Sequence, residues 1–455
     1  MYRKQTIVIL HVFDYYINRY ARAGPHGIAK RLAGLMHKVA DNEFNIVFKI
    51  IQLPRYTILL DFLHYVASKV QSKCKRPVLY PIIAFLMMFS FKLRYAMVYK
   101  TILRLLRELF RQKSYDYIIL QVNTLISAYA LLNLLSEYKE VFENYHSRKL
   151  VVAYSNHAPG SPTLHMLRQK ASLYTYLRKL ILLLIRIELA VLKLFNLFIF
   201  PSKATLLLWI KDLARLGVGL TPLCRIPKYA YIVYNGVEVK RKKKGIIRYK
   251  LGLKQDTIII GYVGKLLYDK GADILIKALS KIINTYNHRN IKLLIRGWGP
   301  EEQNLRELVR KLSIEDYIVF LRYVPDINDL YEDIDIFVAP QRRAAFDLVV
   351  LEALGHGLPI VASNIFANRE ALDEVAIFFE PENHDELANK LYMLIIDNTL
   401  RTELSHKAIK LFLERYTPIS MAQNYIRAYF DMLGFQSYEY KISLEDLLNA
   451  MKGFK

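Results

Sequence analysis

The chain has 455 residues, 53% hydrophobic and 13% aromatic, with 65 Lys and Arg against 41 Asp and Glu, a net charge of +24. That length suits two domains with filled cores, and a mean hydropathy of +0.13 brings a membrane surface into consideration from the start. The only cysteines, Cys74 and Cys224, stand far apart in no metal spacing, which excludes a disulfide scaffold and a zinc site and fits a reducing interior.

Charge is segregated along the chain. Residues 1–240 hold 35 Lys and Arg against 12 Asp and Glu, and the remainder holds 30 against 29. The basic surface therefore belongs to one domain, which faces something anionic. No nucleic-acid module has a recognisable signature here, and the same half carries unusual apolar runs. An anionic lipid surface or lipid phosphate is the expected partner, ahead of nucleic acid.

The opening MYRKQTIVILHVFDYY places basic residues before an apolar run, but the run is short, ends in Asp14 and has no cleavage pattern after it. It reads as a buried strand, Thr6–Phe13. A loop bearing Gly24 and Gly27 follows, then a helical pattern with Ile28, Leu32, Leu35 and Met36 at three- and four-residue spacing. The two glycines permit a close backbone approach to a ligand or simply shape a turn.

After short strands within 44–60 comes Pro77–Phe91, 15 residues without a charge, flanked by Lys73, Lys75 and Arg76 and by Lys92 and Arg94. It falls short of the roughly 20 residues of a membrane span, and Pro81 is expected to interrupt it. It lies in a lipid interface or packs as a core helix; the stretch through Phe110 is amphipathic helix either way.

Tyr115–Val122 and Leu150–Tyr154 read as strands, and the second runs into SNHAPG, placing His157 at a strand's carboxyl end, where ligands sit in parallel sheets. Lys179–Phe200 is densely apolar, yet Arg186, Glu188 and Lys193 make it too costly to span lipid. A buried or surface helix, a strand, and a helix capped by Ser202 are expected. Ala230–Asn235 is a strand leading into NGVE, and KRKKKG, residues 240–245, is a solvated linker.

Beyond the linker, Thr257–Val263 is a continuous apolar strand suited to a doubly covered parallel sheet. Gly264, Lys265 and Lys270 follow it, with a helix starting near Gly271. Lys292–Gly297 and Val319–Pro325 hold further strands, the first ending in a two-glycine turn. Asp333 and Asp335 have the spacing of a D-x-D metal pair, but they fall where a helix ends and a strand begins, and no metal is expected. Ile336–Glu370 is a strand ending at Pro340, an irregular loop, a helix Leu348–Gly355, a Gly-Leu-Pro turn and a strand Pro359–Ser363. Amides near Phe346, Asp347 and Leu348 would be open to an anion at the start of that helix.

The segment FDLVVLEALGHGLPIVASN resembles the donor-binding segment of the retaining, GT-B-fold glycosyltransferases of family 4. Phe346, Glu352, Ala353, Gly357, Pro359, Val361 and Ala362 keep register with the family pattern E-x-F-G-x-x-x-x-E-A-x-A-x-G-x-P-V-V-A. Among its departures, Ala344 stands for the first glutamate and Asp347 for glycine. The resemblance covers residues 5–433, strongly within 255–385. It implies an α/β architecture of two Rossmann-like, doubly wound parallel-sheet domains facing a cleft, with boundaries at 1–239 and 240–417, a helix at 418–435 crossing back to the first domain, and a tail at 436–455.

The resemblance also implies a reaction and a site. A nucleotide-diphosphate sugar would be the donor, and a glycan or lipid-linked hydroxyl at the membrane surface the acceptor, with retention and without metal or other cofactor. His157, Lys265 and Lys270 would carry catalysis. Gly24, Gly264, Gly297, Tyr323, Val324, Phe346, Asp347, Leu348, Val349 and Glu352 would hold the donor, with Tyr323 and Val324 at the base and Glu352 at the ribose. Two cations at a helix start would stabilise the departing diphosphate. The expected location is cytoplasmic, with a peripheral seat on the inner face of the cell membrane. Ala344 cannot contact a sugar as glutamate does, and Arg342 and Arg343 beside it would turn the local field positive. An unusual or anionic sugar, a substituting neighbour such as Asp347, or a non-catalytic scaffold subunit partnering an active transferase are the open accounts.

Overall fold

The segment QTIVILHV is a strand buried on both faces, β1 (Gln5–Val12), with six consecutive buried residues from Ile7 onward. Such a strand belongs in the middle of a covered parallel sheet. In a computed structural model that describes residues 5–12, 31–32, 34–36, 44–51, 80–111, 115–138, 149–156, 162, 174–195, 197–215 and 230–435, β1 lies between β2 (Phe44–Ile51) and β3 (Tyr117–Val122). The sheet continues through β4 (Lys149–Ser155), β5 (Leu197–Phe200) and β6 (Ala230–Ile232), all parallel, in the order β2-β1-β3-β4-β5-β6. Gly24, Gly27 and His157 lie outside the described residues, as does the tail after Phe435.

The chain divides into two units, Met1–Asn235 with Met421–Lys455, and Gly236–Ser420. In the first, the apolar run and the amphipathic stretch after it form one helix, Tyr80–Arg111. Pro81 does not interrupt it. Proline is tolerated in a first turn, where its missing N–H has no intrahelical acceptor to lose. Val98, Ile102, Leu106 and Leu109 are buried, while Lys100, Arg104, Arg107 and Arg111 lie exposed on another face.

The charge at Glu188 has a structural reason. On the helix Tyr174–Leu194 it is fully buried and accepts a hydrogen bond of 2.7 Å from the indole Nε1 of Trp209, itself fully buried on the helix Lys203–Arg215. Ser202 caps that second helix, its Oγ accepting from the Thr205 amide at 3.0 Å. The helix Pro418–Leu433 places Met421, Tyr425 and Tyr429 in the same core as Ile7, Ile9 and Ile119. Beneath the carboxyl ends of β1 and β3, His11 Nε2 lies 2.6 Å from the Tyr429 hydroxyl, which donates to Gln121 Oε1 at 2.8 Å. Burial raises the Tyr429 phenol well above its ordinary value, so it stays a donor and His11 supplies the proton toward it.

The second unit repeats the architecture with another strand order. β7 (Ile258–Val263), β8 (Ile291–Arg296), β9 (Ile318–Leu321), β10 (Ile336–Ala339), β11 (Ile360–Ser363) and β12 (Ala376–Phe379) are parallel in the order β12-β11-β10-β7-β8-β9. The order reverses between β7 and β10, the crevice where doubly wound sheets take ligands. Asp333 and Asp335 clasp the chain at the start of this unit. Asp333 accepts from the amides of Ile247 at 2.6 Å and Arg248 at 3.1 Å, and Asp335 from the Ile259 amide at 2.9 Å and Arg248 Nη2 at 2.5 Å. Their spacing serves backbone anchoring. The basic run 240–244 is exposed, as expected of a solvated linker, and three of its cations still meet acids: Arg241 pairs with Glu332 at 3.5 Å, Lys242 with Asp326 at 3.3 Å and Lys244 with Asp335 at 2.9 Å.

Candidate donor-binding site

The loops after β7 and β10 meet at the reversal of strand order. After β7 the chain makes a 3-10 turn, Tyr268–Lys270, and enters the helix Ala272–Asn284 through Gly271 at φ +68°. A Cβ at Gly271 would lie 2.0 Å from the carbonyl oxygen of Pro340, so only glycine lets the β7 loop pass this close to the end of β10. The glycine at 297 has the same kind of cause: a Cβ there would lie 1.9 Å from the Gly264 carbonyl oxygen. Gly297 thus lets the β8 loop pack against the backbone of the β7 loop at Gly264.

That approach brings Lys270 to Asp347, with Nζ 2.5 Å from Oδ2 and both side chains about a fifth exposed. Gln341 Nε2 donates to the same oxygen at 3.1 Å. Asp347 occupies the cap position of the helix Leu348–Gly355 but gives that helix no side-chain cap. The carboxylate is turned to Lys270 instead, and the first-turn amides of Leu348 and Val349 have no acceptor among the described residues. Lys265 is exposed beside the same strand end, without an ion-pair partner among the described residues.

Gln341 is a buried polar residue whose type carried no signal in the sequence. Its carbonyl oxygen accepts from Ser363 Oγ at 2.6 Å, and Asn368 Nδ2 donates to its Oε1 at 3.3 Å. This chain of amides fixes the loop on which Ala344 sits, buried at 7% exposure. Arg342 does not turn the field beside Ala344 positive, as its place in the sequence suggested. Its guanidinium grips Asp273 bidentately at 2.7 and 2.8 Å, pairs with Glu382, and lies over the Tyr268 ring at 4.0 Å. Burial pushes the Asp273 carboxyl up, but the Arg342 hydrogen bonds and charge outweigh it and hold that carboxyl below its usual range.

Glu352 is half-buried on the helix Leu348–Gly355, and its Oε2 accepts from the Tyr331 hydroxyl at 2.8 Å. Tyr331 is fully buried, and burial, then the Glu352 charge, raises its phenol well above the ordinary value, with the Arg296 guanidinium pulling the other way. Arg296 stands at the end of β8, and its buried Nε has no hydrogen-bond partner among the described residues. Neither Tyr331 nor Arg296 was singled out in the sequence; the first falls on a buried helix face and reads as core.

The remaining expected residues are placed unevenly. Tyr323 is 75% exposed after β9, whereas Val324 is buried. The Phe346 ring packs on Tyr416 at 6.0 Å. Among the described residues no cluster of His, Cys, Asp and Glu could hold a metal ion, and no helix is long and apolar enough to cross a membrane.

With this geometry in view, residues 243–411 match the family model of glycosyl transferases group 1. The chain is 28% identical over 201 residues to an O-antigen biosynthesis glycosyltransferase of Escherichia coli, covering 44% of this chain and 54% of that protein. It is 30% identical over 146 residues to a lipopolysaccharide core biosynthesis mannosyltransferase of Rhizobium meliloti, covering 30% and 42%. The chain thus spans about half the length of the curated relatives it matches. The solved sucrose-phosphate synthase of Thermosynechococcus elongatus superimposes with a TM-score of 0.58 at 16% identity, over 95% of this chain and 100% of that one. The two parallel sheets, with flanking helices, are those of the GT-B fold. The similarity to glycosyl transferases group 1 is thus carried by residues 243–411.

Proposed function

We propose that the protein transfers a sugar, with retention, from a nucleotide-diphosphate sugar to the hydroxyl of a glycan or lipid-linked acceptor at an anionic membrane surface. The observation that carries this reading is the meeting of Lys270, Asp347 and Gln341 at the reversal of strand order, one helix turn before Glu352. In this reading Lys265, Lys270 and the amides of Leu348 and Val349 hold the diphosphate, and Glu352 takes the ribose hydroxyls. The sugar's bond to the diphosphate oxygen breaks as the acceptor oxygen bonds the same carbon on the same face, and the acceptor's hydroxyl proton passes to the departing diphosphate. The cations stabilise the charge that grows on the leaving group, and no metal is required.

Asp347 holds Lys270 until the diphosphate competes for it. It also returns to this loop a carboxylate that Ala344 lacks, three residues along the chain. The membrane part of the reading draws on the first unit, where Lys100, Arg104, Arg107 and Arg111 line a groove of about 610 Å³ along the helix Tyr80–Arg111. A row of cations on one helix face suits anionic headgroups.

The test is transfer of labelled sugar from a panel of nucleotide sugars to membrane lipid extract. Transfer by the wild type, lost in Glu352→Ala and reduced in Lys270→Ala, is the expected result. Absence of transfer and of donor hydrolysis with every donor would sink the proposal.

A further inference from the structure

We infer that Tyr331 is a positioning residue for nucleotide recognition, fixing the Glu352 carboxylate so that ribose hydroxyls meet it in one orientation. This rests on the donor reading above. The terminal torsion of a glutamate is broad, so a carboxylate that must face a vicinal diol loses freedom on binding unless something holds it beforehand. Tyr331 is built to hold it. Its ring is fully buried on the helix Ile327–Asp333, stacked with His356 at 5.1 Å and 17° and tilted against Phe337 at 6.0 Å.

The hydroxyl has one proton and two acceptors, Glu352 Oε2 at 2.8 Å and the Val349 carbonyl at 3.4 Å. The nearer acceptor is charged and takes the proton. Tyr331 therefore ties one carboxylate oxygen to a ring that cannot turn. The ring's neighbour is fixed in turn, since His356 Nδ1 lies 3.0 Å from Glu332 and Nε2 3.2 Å from Asn328 Oδ1. Asn328 has no freedom to flip: its Nδ2 donates to Asp326 at 2.7 Å while its Oδ1 accepts from the Lys240 amide at 3.2 Å.

Tyr331→Phe keeps the ring and removes only the hydroxyl. Calorimetry would compare UDP, ADP and GDP with their 2′-deoxy forms, using the base that binds tightest. The wild type is expected to prefer the ribonucleotide, and Tyr331→Phe to lose about three- to tenfold of that preference while its 2′-deoxy affinity stays within about twofold. A tyrosine that merely fills the core would lower the melting temperature and leave the ratio of the two affinities unchanged. An inactive fraction alters stoichiometry and not that ratio, so partial misfolding does not blur the outcome. If the wild type discriminates and Tyr331→Phe discriminates equally, the inference is overturned and the donor reading stands. If the wild type binds none of the three diphosphates, the donor reading fails and the inference fails with it.

Discussion

The basic run Lys240–Lys244 and the basic stripe Lys100, Arg104, Arg107 and Arg111 are alike in composition and unlike in surroundings. In the first, cations meet Glu332, Asp326 and Asp335 at 2.9 to 3.5 Å, and those acids come from the helix Ile327–Asp333 and its flanks within the same unit. In the second, four exposed cations share their groove with a single acid among the described residues, Glu108. Counting charges along a chain cannot separate these cases. A cation matched inside its own unit has its charge answered there, and one without an acidic partner among the described residues is open to a partner outside.

Lys270 tests that distinction most severely, because it is matched by Asp347 and yet stands where an anion is proposed to bind. Replacing it with alanine is expected to lower sugar transfer by about 10²- to 10³-fold, the cost of losing one preorganised charge on a leaving group. Thermal denaturation alongside the transfer assay keeps stability apart from chemistry. Should transfer persist with only the melting point reduced, the Lys270–Asp347 pair serves the fold and not the reaction.

The stripe on the first unit is the next sharpest case. Changing Lys100, Arg104 and Arg107 together to glutamine is expected to weaken binding to phosphatidylserine vesicles by on the order of a hundredfold, at about 1 kcal/mol for each cation near an anionic surface. Cosedimentation at rising salt measures it, since this attraction is screened within a Debye length. Equal binding by the variant would mean that these cations face something other than lipid.

The sequence made the second unit readable because its strands are continuous apolar runs and its loops carry spaced glycines, lysines and one carboxylate. Helix Leu348–Gly355 and strand β11 fall where the residue pattern put them. What escaped were residues whose role depends on a partner far along the chain. Tyr331 reads as core until Glu352 is found at its hydroxyl, and Gln341 reads as loop until Asp347 and Asn368 are found at its amide. Arg342 misled for the same reason, since its acids, Asp273 and Glu382, are 69 and 40 residues away. In the first unit, Pro81 misled because a proline's effect depends on its position in a helix whose start the sequence does not mark.

Arg342→Gln sharpens the matched side of the comparison through pH. The Asp273 carboxyl, held below its usual range in the folded state, contributes stability that is fully present above its unfolded value of about 3.9 and is lost as pH falls through the lower folded value. Removing the guanidinium should cost about 2 kcal/mol at neutral pH, in line with hydrogen bonds to charged groups. The acid-unfolding midpoint should move up toward the ordinary carboxylate range. The two curves should converge at the lowest pH, where Asp273 is protonated in both proteins; a constant offset at every pH would mean that Arg342 acts through packing alone.

The smallest effect is expected at Lys242, and its smallness is the point. Its ammonium is 40% exposed and pairs with Asp326 at 3.3 Å, a geometry in which an ion pair contributes about 0 to 1 kcal/mol. Asp326 also accepts from the Asn328 amide at 3.1 Å and from its side chain at 2.7 Å, and these bonds, the amide's foremost, lower its carboxyl alongside Lys242. Lys242→Ala should therefore change the urea midpoint barely at all and leave vesicle binding as it was. A loss of vesicle binding comparable with that of the stripe variant would show that the linker cations reach lipid despite their acidic neighbours, and local matching would then not be what decides whether a cation faces a partner.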